Sequence, residues 1–244
     1  MRYLEIAPNE NRGLNWDSVR DVPTPGCLVY DMRKLPMKGV MDAQYNAVYS
    51  EHFIEHLEKD EGINFFKEMY RVMKPGGIIR TVWPPMDFVD YLRQDQNLDE
   101  HAFVQHYYQF YILKHKFAPA GTEHLSKQLQ CAEGLLYQGG EHKHLWYKKE
   151  LLETLTELGF KNVQEMPYGK SGVRDFNGID TPGLIRKLHS AVIEASKPWQ
   201  ILYCNTSMVN CVRWINFPWP TCKSTLRWLE QSTGLSLVNL LIES

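Results

Sequence analysis

The sequence has no long hydrophobic run and no excess of basic residues. No stretch reaches the roughly 18 apolar residues that a membrane-spanning helix needs. The first residues, MRYLEIAP, lack the positive segment followed by an apolar run that marks a secretory signal. Lysine and arginine total 27 against 29 aspartates and glutamates, a formal net charge of −2. We therefore expect neither insertion into a membrane nor secretion. We also expect no nucleic-acid partner, because little positive charge is available to neutralise a phosphate backbone.

Cysteine is also scarce, with five residues in 244. No CxxC pair is present, so the sequence offers no structural zinc site of the usual spacing. An odd number of cysteines without paired close spacing is typical of a reducing compartment. These features predict a cytoplasmic protein.

Phosphate-binding loops are missing as well. The sequence contains no G-x-G-x-x-G and no P-loop. Between residues 7 and 15 there is little room for a long helix whose N-terminus would hold a pyrophosphate. A dinucleotide or nucleoside triphosphate is therefore a poor fit as cofactor.

What the sequence does contain is an alternation of short apolar runs and amphipathic segments, which is typical of a parallel α/β sheet. Ile63, Phe66, Met69 and Met73 share one face of a helix predicted over 60–73, with Asp60 as its N-cap. Gly159 is predicted to end a later helix. Seven runs predict strands: YLEIA, LNWDSV, GCLVYDM, YNAVYS, IIRTVWP, KNVQEMPYG and SAVIEAS.

The predicted fold is a Rossmann-like, seven-stranded, mostly parallel sheet with helices on both faces, over residues 1–198. Residues 87–140, rich in tyrosine and histidine, are predicted to be a helical insertion after strand five, with the aromatic stripe around Tyr107 as the core of a lid. Residues 199–244 hold four of the seven tryptophans and form a C-terminal appendage, part of which, STLRWLEQSTGLSLVNLLIE, is predicted to be a helix with an apolar end. Aromatic patches often mark contacts, so this appendage could join copies of the chain in a homo-oligomer.

The ends of the first four strands are the candidate site, because ligands bind outside the carboxyl ends of strands in an open parallel sheet. The acidic side chains Asp17 and Asp31 can accept hydrogen bonds from a ribose or an adenine amino group. A cofactor with ribose and adenine but no phosphate fits this pattern best. We therefore expect S-adenosylmethionine as cofactor.

The stretches YSEHFIEHL and FFKEMYRVMKPGGIIRTVWP closely resemble the region around strands four and five of class I S-adenosylmethionine-dependent methyltransferases, in their type-11 branch. The resemblance extends over roughly residues 2–197 and is most specific at 49–84. It implies transfer of a methyl group to an acceptor that we expect to be a small molecule or a glycan-type molecule.

The resemblance also implies roles for individual residues. Ala7 and Asn9, on either side of Pro8, stand where the family has two loop glycines, which let the backbone approach the ligand. Asp17 matches the ribose-binding carboxylate. The other implied cofactor contacts are Glu5 at the methionine end, Asp31 and Met32 at the adenine, and Ser50, Glu51 and His52 beside the sulfonium. His52 and His144 are the candidates for accepting a proton from the acceptor.

HFIEH, residues 52–56, permits a second interpretation, because H-x-x-E-H is a signature of one class of zinc peptidase. Glu133 lies at a suitable distance along the chain for a third ligand. That site needs a helix carrying both histidines on one face, whereas the preceding residues predict a strand running into His52. We therefore expect no metal, and expect Glu55 and His56 to pack against and cap the next helix.

Two further questions stay open at this level. His142 and His144 form an H-x-H pair that could bind a metal or act as a base, although exposed loop histidines are commoner. The altered loop around Ala7 also leaves room for a non-catalytic relative that keeps the fold as a binding or scaffolding module.

Overall fold

The computed structural model describes residues 1–8, 13–94, 97–199, 202–206 and 209–213. The chain divides into two compact units, Met1–Trp199 and Gln200–Ser244.

The first unit is built on one seven-stranded, mostly parallel sheet, which confirms the predicted Rossmann-like sheet. Its strands are β1 (Tyr3–Ile6), β2 (Trp16–Arg20), β3 (Cys27–Val29), β4 (Tyr45–Glu51), β5 (Met73–Trp83), β6 (Lys161–Glu165) and β7 (Ala191–Ser196). Their order across the sheet is β3-β2-β1-β4-β5-β7-β6. Neighbours from β3 to β5 pair in parallel, and β7 runs antiparallel to both β5 and β6.

The register of the parallel strands brings their carboxyl ends to one edge. Ile6 of β1 lies opposite Val19 of β2 on one side and Ser50 of β4 on the other. Val19 in turn lies opposite Leu28 of β3. The chain reverses strand order between β1 and β4, which is the position where open α/β sheets bind ligands.

The helix α1 (Lys59–Val72) begins one residue earlier than its predicted start at residue 60, and its cap differs from the prediction. Glu58, instead of Asp60, is the N-cap, and it forms a reciprocal capping box with Glu61. This arrangement satisfies backbone N–H groups that the first helical turn leaves without partners. Buried Phe65, Phe66, Met69 and Val72 form its inner face.

Helix α5 (Lys148–Glu157) ends as predicted. Leu158 is its C-cap and Gly159 follows with φ +96°, a left-handed conformation that glycine adopts without a steric penalty. Its buried Leu151 and Leu155 join the cluster formed by α1 and the side chains of Leu4 and Val48. Helices α1 and α5 therefore cover the same face of the sheet.

The opposite face differs from the expectation of helices on both sides. There, Tyr3, Tyr49 and Val82 pack against Phe176 and Ile179, from the segment that follows β6. Before the helix that begins at Leu184, the helical structure of this segment is a single 3-10 turn, Arg174–Phe176. Arg80 fastens it to the sheet, since its fully buried guanidinium pairs with Asp180 and lies 2.7 Å from Glu194.

The predicted insertion is helical. It contains α2 (Met86–Leu92), α3 (Ala102–Tyr107), a π-helical stretch (Tyr108–Lys114) and α4 (Lys127–Tyr137). Together with α6 (Leu184–His189) and Leu145, these elements form a separate apolar cluster. Tyr107 is buried in it as predicted, whereas Phe110 in the same stripe is 39% exposed.

The second unit contains an antiparallel pair, β8 (Leu202–Thr206) and β9 (Val209–Arg213). The helix predicted within residues 224–243 lies outside the described residues. Of the helices that the structure describes, none combines the length and the apolar character that crossing a membrane requires.

Candidate functional site

The carboxyl edge of β2 carries a different acidic residue from the predicted one. Asp17 lies opposite Leu4, near the amino end of β2, where it pairs with Arg2 at 2.7 Å and accepts a hydrogen bond from Tyr45 at 2.8 Å. The strand continues to Arg20, so the exposed Asp21 follows it at the edge. The prediction that Asp17 lies at the carboxyl end of β2 is therefore wrong. Asp21 occupies that position.

The loop after β1 has a backbone conformation suited to glycine. Ala7 is exposed and adopts φ +54°, in the left-handed region. A side chain there costs roughly 1–2 kcal/mol. Pro8 is buried and Asn9 lies outside the described residues. The structure thus places at Ala7 the backbone geometry that the family resemblance implies for a loop glycine.

Glu5 and Met32 are buried beside this edge, whereas Asp31 is partly exposed. Met32 belongs to the core cluster under α1. Asp31 lies two residues beyond β3 and pairs with Arg33 at 2.8 Å and Lys34 at 3.4 Å. Hydrogen bonds from Arg33 lower the pKa of Asp31 to about 2, so it is ionised at neutral pH.

On β4, Ser50 and Glu51 make contacts within the protein. The buried Ser50 hydroxyl lies 3.1 Å from Thr81 Oγ1. Glu51 accepts hydrogen bonds from Tyr49, Tyr168 and Thr181 at 2.7–3.0 Å. Although burial by itself raises the pKa of Glu51, the hydrogen bonds from Thr181 and Tyr49 lower it below its ordinary value. Glu51 is thus a carboxylate that holds the segment after β6 on the strand end.

His52 follows β4 directly and adopts φ +48°. Its Nε2 lies 2.8 Å from Ser190 Oγ, and its Nδ1 lies 3.2 Å from a Glu55 oxygen. Its ring packs edge-on against that of His189, with centroids 5.3 Å apart. Burial lowers the pKa of His52 well below its ordinary value. The imidazole is therefore neutral and held in place by the hydrogen bond at Nε2.

His144 lies in a different environment. Its ring packs edge-on against Trp146 at 4.7 Å, and its Nε2 lies 3.3 Å from Glu150, the capping-box glutamate of α5. Among its described contacts, none is to a residue at a strand end. Its predicted catalytic role stays a prediction.

Glu55, His56 and His142 form a cluster. The sequence placed them in two separate motifs, HFIEH and the H-x-H pair, and did not indicate that they meet. One ligand-type atom from each lies within 4.8 Å of the others. Glu55 is fully buried, and neither of its carboxylate oxygens has a hydrogen-bond partner, because the contact with His52 lacks hydrogen-bond geometry. Capping is done by Glu58, so the predicted capping role of Glu55 and His56 is wrong.

The helix required by a zinc peptidase is absent from this part of the described chain. His52 is in the left-handed region, and a single 3-10 turn, Ile54–His56, follows it. Glu133, the candidate third ligand, instead pairs with Arg93 at 2.8 Å. The HFIEH residues therefore do not form the geometry that the zinc-peptidase interpretation requires.

Comparison with protein families identifies the segment that contains most of this edge. Residues 7–81 match the family model described as "Methyltransferase domain", type 11. The match confirms that residues 7–81 resemble type-11 methyltransferases. A comparison with curated proteins finds none that matches the chain.

Solved structures of methyltransferases resemble the chain distantly. A SAM dependent methyltransferase from Archaeoglobus fulgidus is 18% identical, with 80% of this chain and 86% of that chain covered and a TM-score of 0.45. An S-adenosylmethionine dependent methyltransferase from Mesorhizobium loti is 12% identical, with 80% and 90% covered and a TM-score of 0.41. Both likenesses are too distant to bear on the activity of this chain.

Three residues beside the edge escaped the sequence reasoning: Asp21, His189 and Ser190. Asp21 follows β2, and the end of this strand is hard to read from the sequence because polar Asp17 and Ser18 lie inside the strand. His189 and Ser190 reach His52 only through the fold, because they precede β7, which is distant in sequence from β4. Of these three residues, only Asp21 lies within four positions of the carboxyl end of a predicted strand, where a search for acidic residues would have found it.

Proposed function

We propose that this protein transfers a methyl group from S-adenosylmethionine to a small-molecule or glycan-type acceptor. The observation that carries the proposal is the match of residues 7–81 to a methyltransferase domain. The register of β1 to β4 supports it, since this segment gathers its strand ends at the switch point of the sheet.

The exposed half of the edge has the groups that the cofactor needs. Asp21 and Asp31 follow adjacent strands and can accept hydrogen bonds from the ribose hydroxyls and the adenine amino group. The left-handed Ala7 turns its backbone at the end of β1. Unfavourable backbone conformations cluster at ligand sites, and both Ala7 and His52 have one.

The chemistry requires mainly positioning. A sulfonium methyl group is already activated, so transfer gains chiefly from holding the acceptor in line with it and excluding water. The insertion after β5 packs through Phe88 and Phe103 against His189, the neighbour of His52, so it is placed to exclude water from this side of the edge. A largely buried imidazole with a strongly lowered pKa is a weak base, so His52, whose side chain is 13% exposed, is better suited to orient an acceptor by hydrogen bonding than to remove its proton.

A non-catalytic binding module is the second candidate, and two observations favour it. Alanine replaces a loop glycine at Ala7, and Glu51 is occupied by Thr181 and Tyr168. Neither feature blocks a cofactor at Asp21 and Asp31, so we place this candidate second.

Thermal unfolding of the full chain with S-adenosylhomocysteine separates the two candidates. A ligand at 100 times its Kd stabilises the native state by about 2.7 kcal/mol. We expect a concentration-dependent rise in Tm with S-adenosylhomocysteine and none with ATP, which carries phosphates that this edge is not built to hold. An unchanged Tm at saturating S-adenosylhomocysteine would favour the binding module.

Methyl transfer itself is tested by incubating the protein with radiolabelled S-adenosylmethionine and a panel of hydroxyl- and amine-bearing small molecules and glycans. With the acceptor found, His52→Gln should lower kcat about tenfold through loss of one orienting hydrogen bond. His106→Gln, on the exposed surface of α3, is the matched control and should leave kcat unchanged. Failure of every acceptor despite cofactor binding would contradict the proposed acceptor class.

A further inference from the structure

We propose that Glu55, His56 and His142 bind one divalent first-row transition-metal ion of the Zn²⁺ type. This departs from the expectation of no metal drawn from the sequence. It rests on side chains of two segments, the 3-10 turn after β4 and the loop before α5, and does not depend on the proposed methyl transfer.

The ligand set suits such an ion. Two imidazole nitrogens and one carboxylate oxygen are donors that zinc and its neighbours prefer, whereas Mg²⁺ and Ca²⁺ take oxygen alone. The three donor atoms lie within 4.8 Å of one another. Tetrahedral zinc ligands stand roughly 3.3 Å apart, so binding needs small side-chain rotations.

The orientation of the two imidazoles leaves one nitrogen of each available. His142 Nδ1 lies 2.6 Å from the Leu135 carbonyl, which fixes it as an N–H donor. Its Nε2 is buried and has no hydrogen-bond partner. His56 Nδ1 lies 3.3 Å from the Glu141 carbonyl. Metal-binding histidines usually donate their other N–H to a carbonyl or carboxylate in this way.

The buried carboxylate supplies the second, independent observation. Glu55 is 0% exposed, and both its oxygens lack hydrogen-bond partners. An ionised carboxylate in such a place is unfavourable unless a cation or donors face it. A divalent ion between Glu55 and the two histidines would offset the cost of burying the carboxylate. The same ion would give the unpaired Nε2 of His142 a partner.

The backbone already holds the two segments together. Lys143 N donates to the Glu55 carbonyl at 2.8 Å, and His144 N donates to the same oxygen at 3.3 Å. The framework of the site is therefore present without the ion. Three protein ligands leave a fourth position open, and His56 is only partly buried, so an exchangeable ligand can reach the metal.

The test is metal titration of the full, untagged chain after stripping with EDTA. Equilibrium dialysis against Zn²⁺ should give one bound ion per chain, and Co²⁺ should produce the visible absorption of a tetrahedral site. His56→Ala and Glu55→Gln should each weaken Zn²⁺ binding at least about tenfold, because even changes to outer-shell partners cost 10–100-fold.

His144→Ala is the matched control, since this histidine lies in the same loop but contacts Glu150. It should bind Zn²⁺ like the unaltered chain. Far-UV circular dichroism in EDTA checks that each variant is folded, and His56→Ala, at a partly exposed position, is the variant least affected by loss of packing. Absence of a stoichiometric ion in the unaltered chain, or equal weakening by His144→Ala, would overturn the proposal.

Discussion

The carboxyl edge of the sheet has two halves of opposite character. At the ends of β1 to β3, Ala7 and Asp21 are exposed, and Asp31 is partly exposed and held by surface cations. At the carboxyl end of β4, beside the start of β7, Glu51 and His52 are held by hydrogen bonds within the fold. One half presents polar groups to solvent, and the other is already arranged by the protein.

Under the proposed function, this difference indicates which half of the edge binds the cofactor and which half binds the acceptor. Exposed carboxylates can exchange water or a surface partner for a ligand at small cost. A neutral imidazole that is hydrogen-bonded within the fold, as that of His52 is, cannot easily reorganise, and it provides a fixed surface against which an acceptor can be oriented. We therefore expect the cofactor at the β1 to β3 half and the acceptor near His52.

The arrangement of the β4 half depends on Arg80, whose removal should have the largest effect. Arg80→Ala leaves Asp180 and Glu194 buried without a cation, and breaking such a pair costs about 3–5 kcal/mol. Urea denaturation should show this loss in the free energy of unfolding. Arg93→Ala removes a partly exposed pair with Glu133 and should cost less than about 1 kcal/mol. Equal losses for the two variants would contradict a special role for Arg80.

The buried histidines should make stability fall in acid. Burial, and then the neighbouring His52, lowers the pKa of His189 to about 3, while an unfolded histidine titrates near 6.5. The unfolded chain therefore binds more protons between these values, so the contribution is complete above pH 6.5 and shrinks as pH falls toward 3. At pH 5 this group alone removes about 2 kcal/mol relative to pH 7.5.

The His189→Gln variant should lose the part of the pH dependence of the free energy of unfolding that His189 contributes. The measurement is urea denaturation at pH 7.5 and 5.0 in EDTA, which keeps metal binding out of the comparison. His106→Gln, at an exposed position, should keep the pH dependence of the unaltered chain. A His189→Gln variant with an unchanged difference between the two pH values would show that His189 is not the buried neutral group described here.

The smallest effect concerns the β1 loop. Ala7→Gly relieves a left-handed alanine, worth roughly 1–2 kcal/mol, and adds a chain entropy cost of roughly 0.5–1 kcal/mol. We expect a net gain of about 0.5 kcal/mol in thermal or urea unfolding. Ala47→Gly, at a buried position inside β4, should instead destabilise. A loss at Ala7 would contradict the left-handed backbone there.

Much of the fold was readable because its signals are local. Apolar runs such as that around Val48 predict strands, and the spacing of Phe66 and Met69 predicts the buried face of α1. The end of β2 was misplaced because polar Asp17 and Ser18 lie inside the strand. The partnership of His142 with Glu55, and the covering of the second face by the segment around Phe176, depend on contacts between distant segments, which no local pattern records.

The measurement that tests the central claim most directly is calorimetric titration of S-adenosylhomocysteine into the unaltered chain, Asp21→Asn and Asp17→Asn. Asp17 lies near the amino end of β2 beside Arg2, and Asp21 directly follows the carboxyl end of the same strand. We predict saturable binding that Asp21→Asn weakens by about 1–3 kcal/mol, the cost of removing one partner of a polar contact. Asp17→Asn should bind like the unaltered chain. No binding by folded protein, or weakening by Asp17→Asn alone, would contradict a cofactor site at this edge.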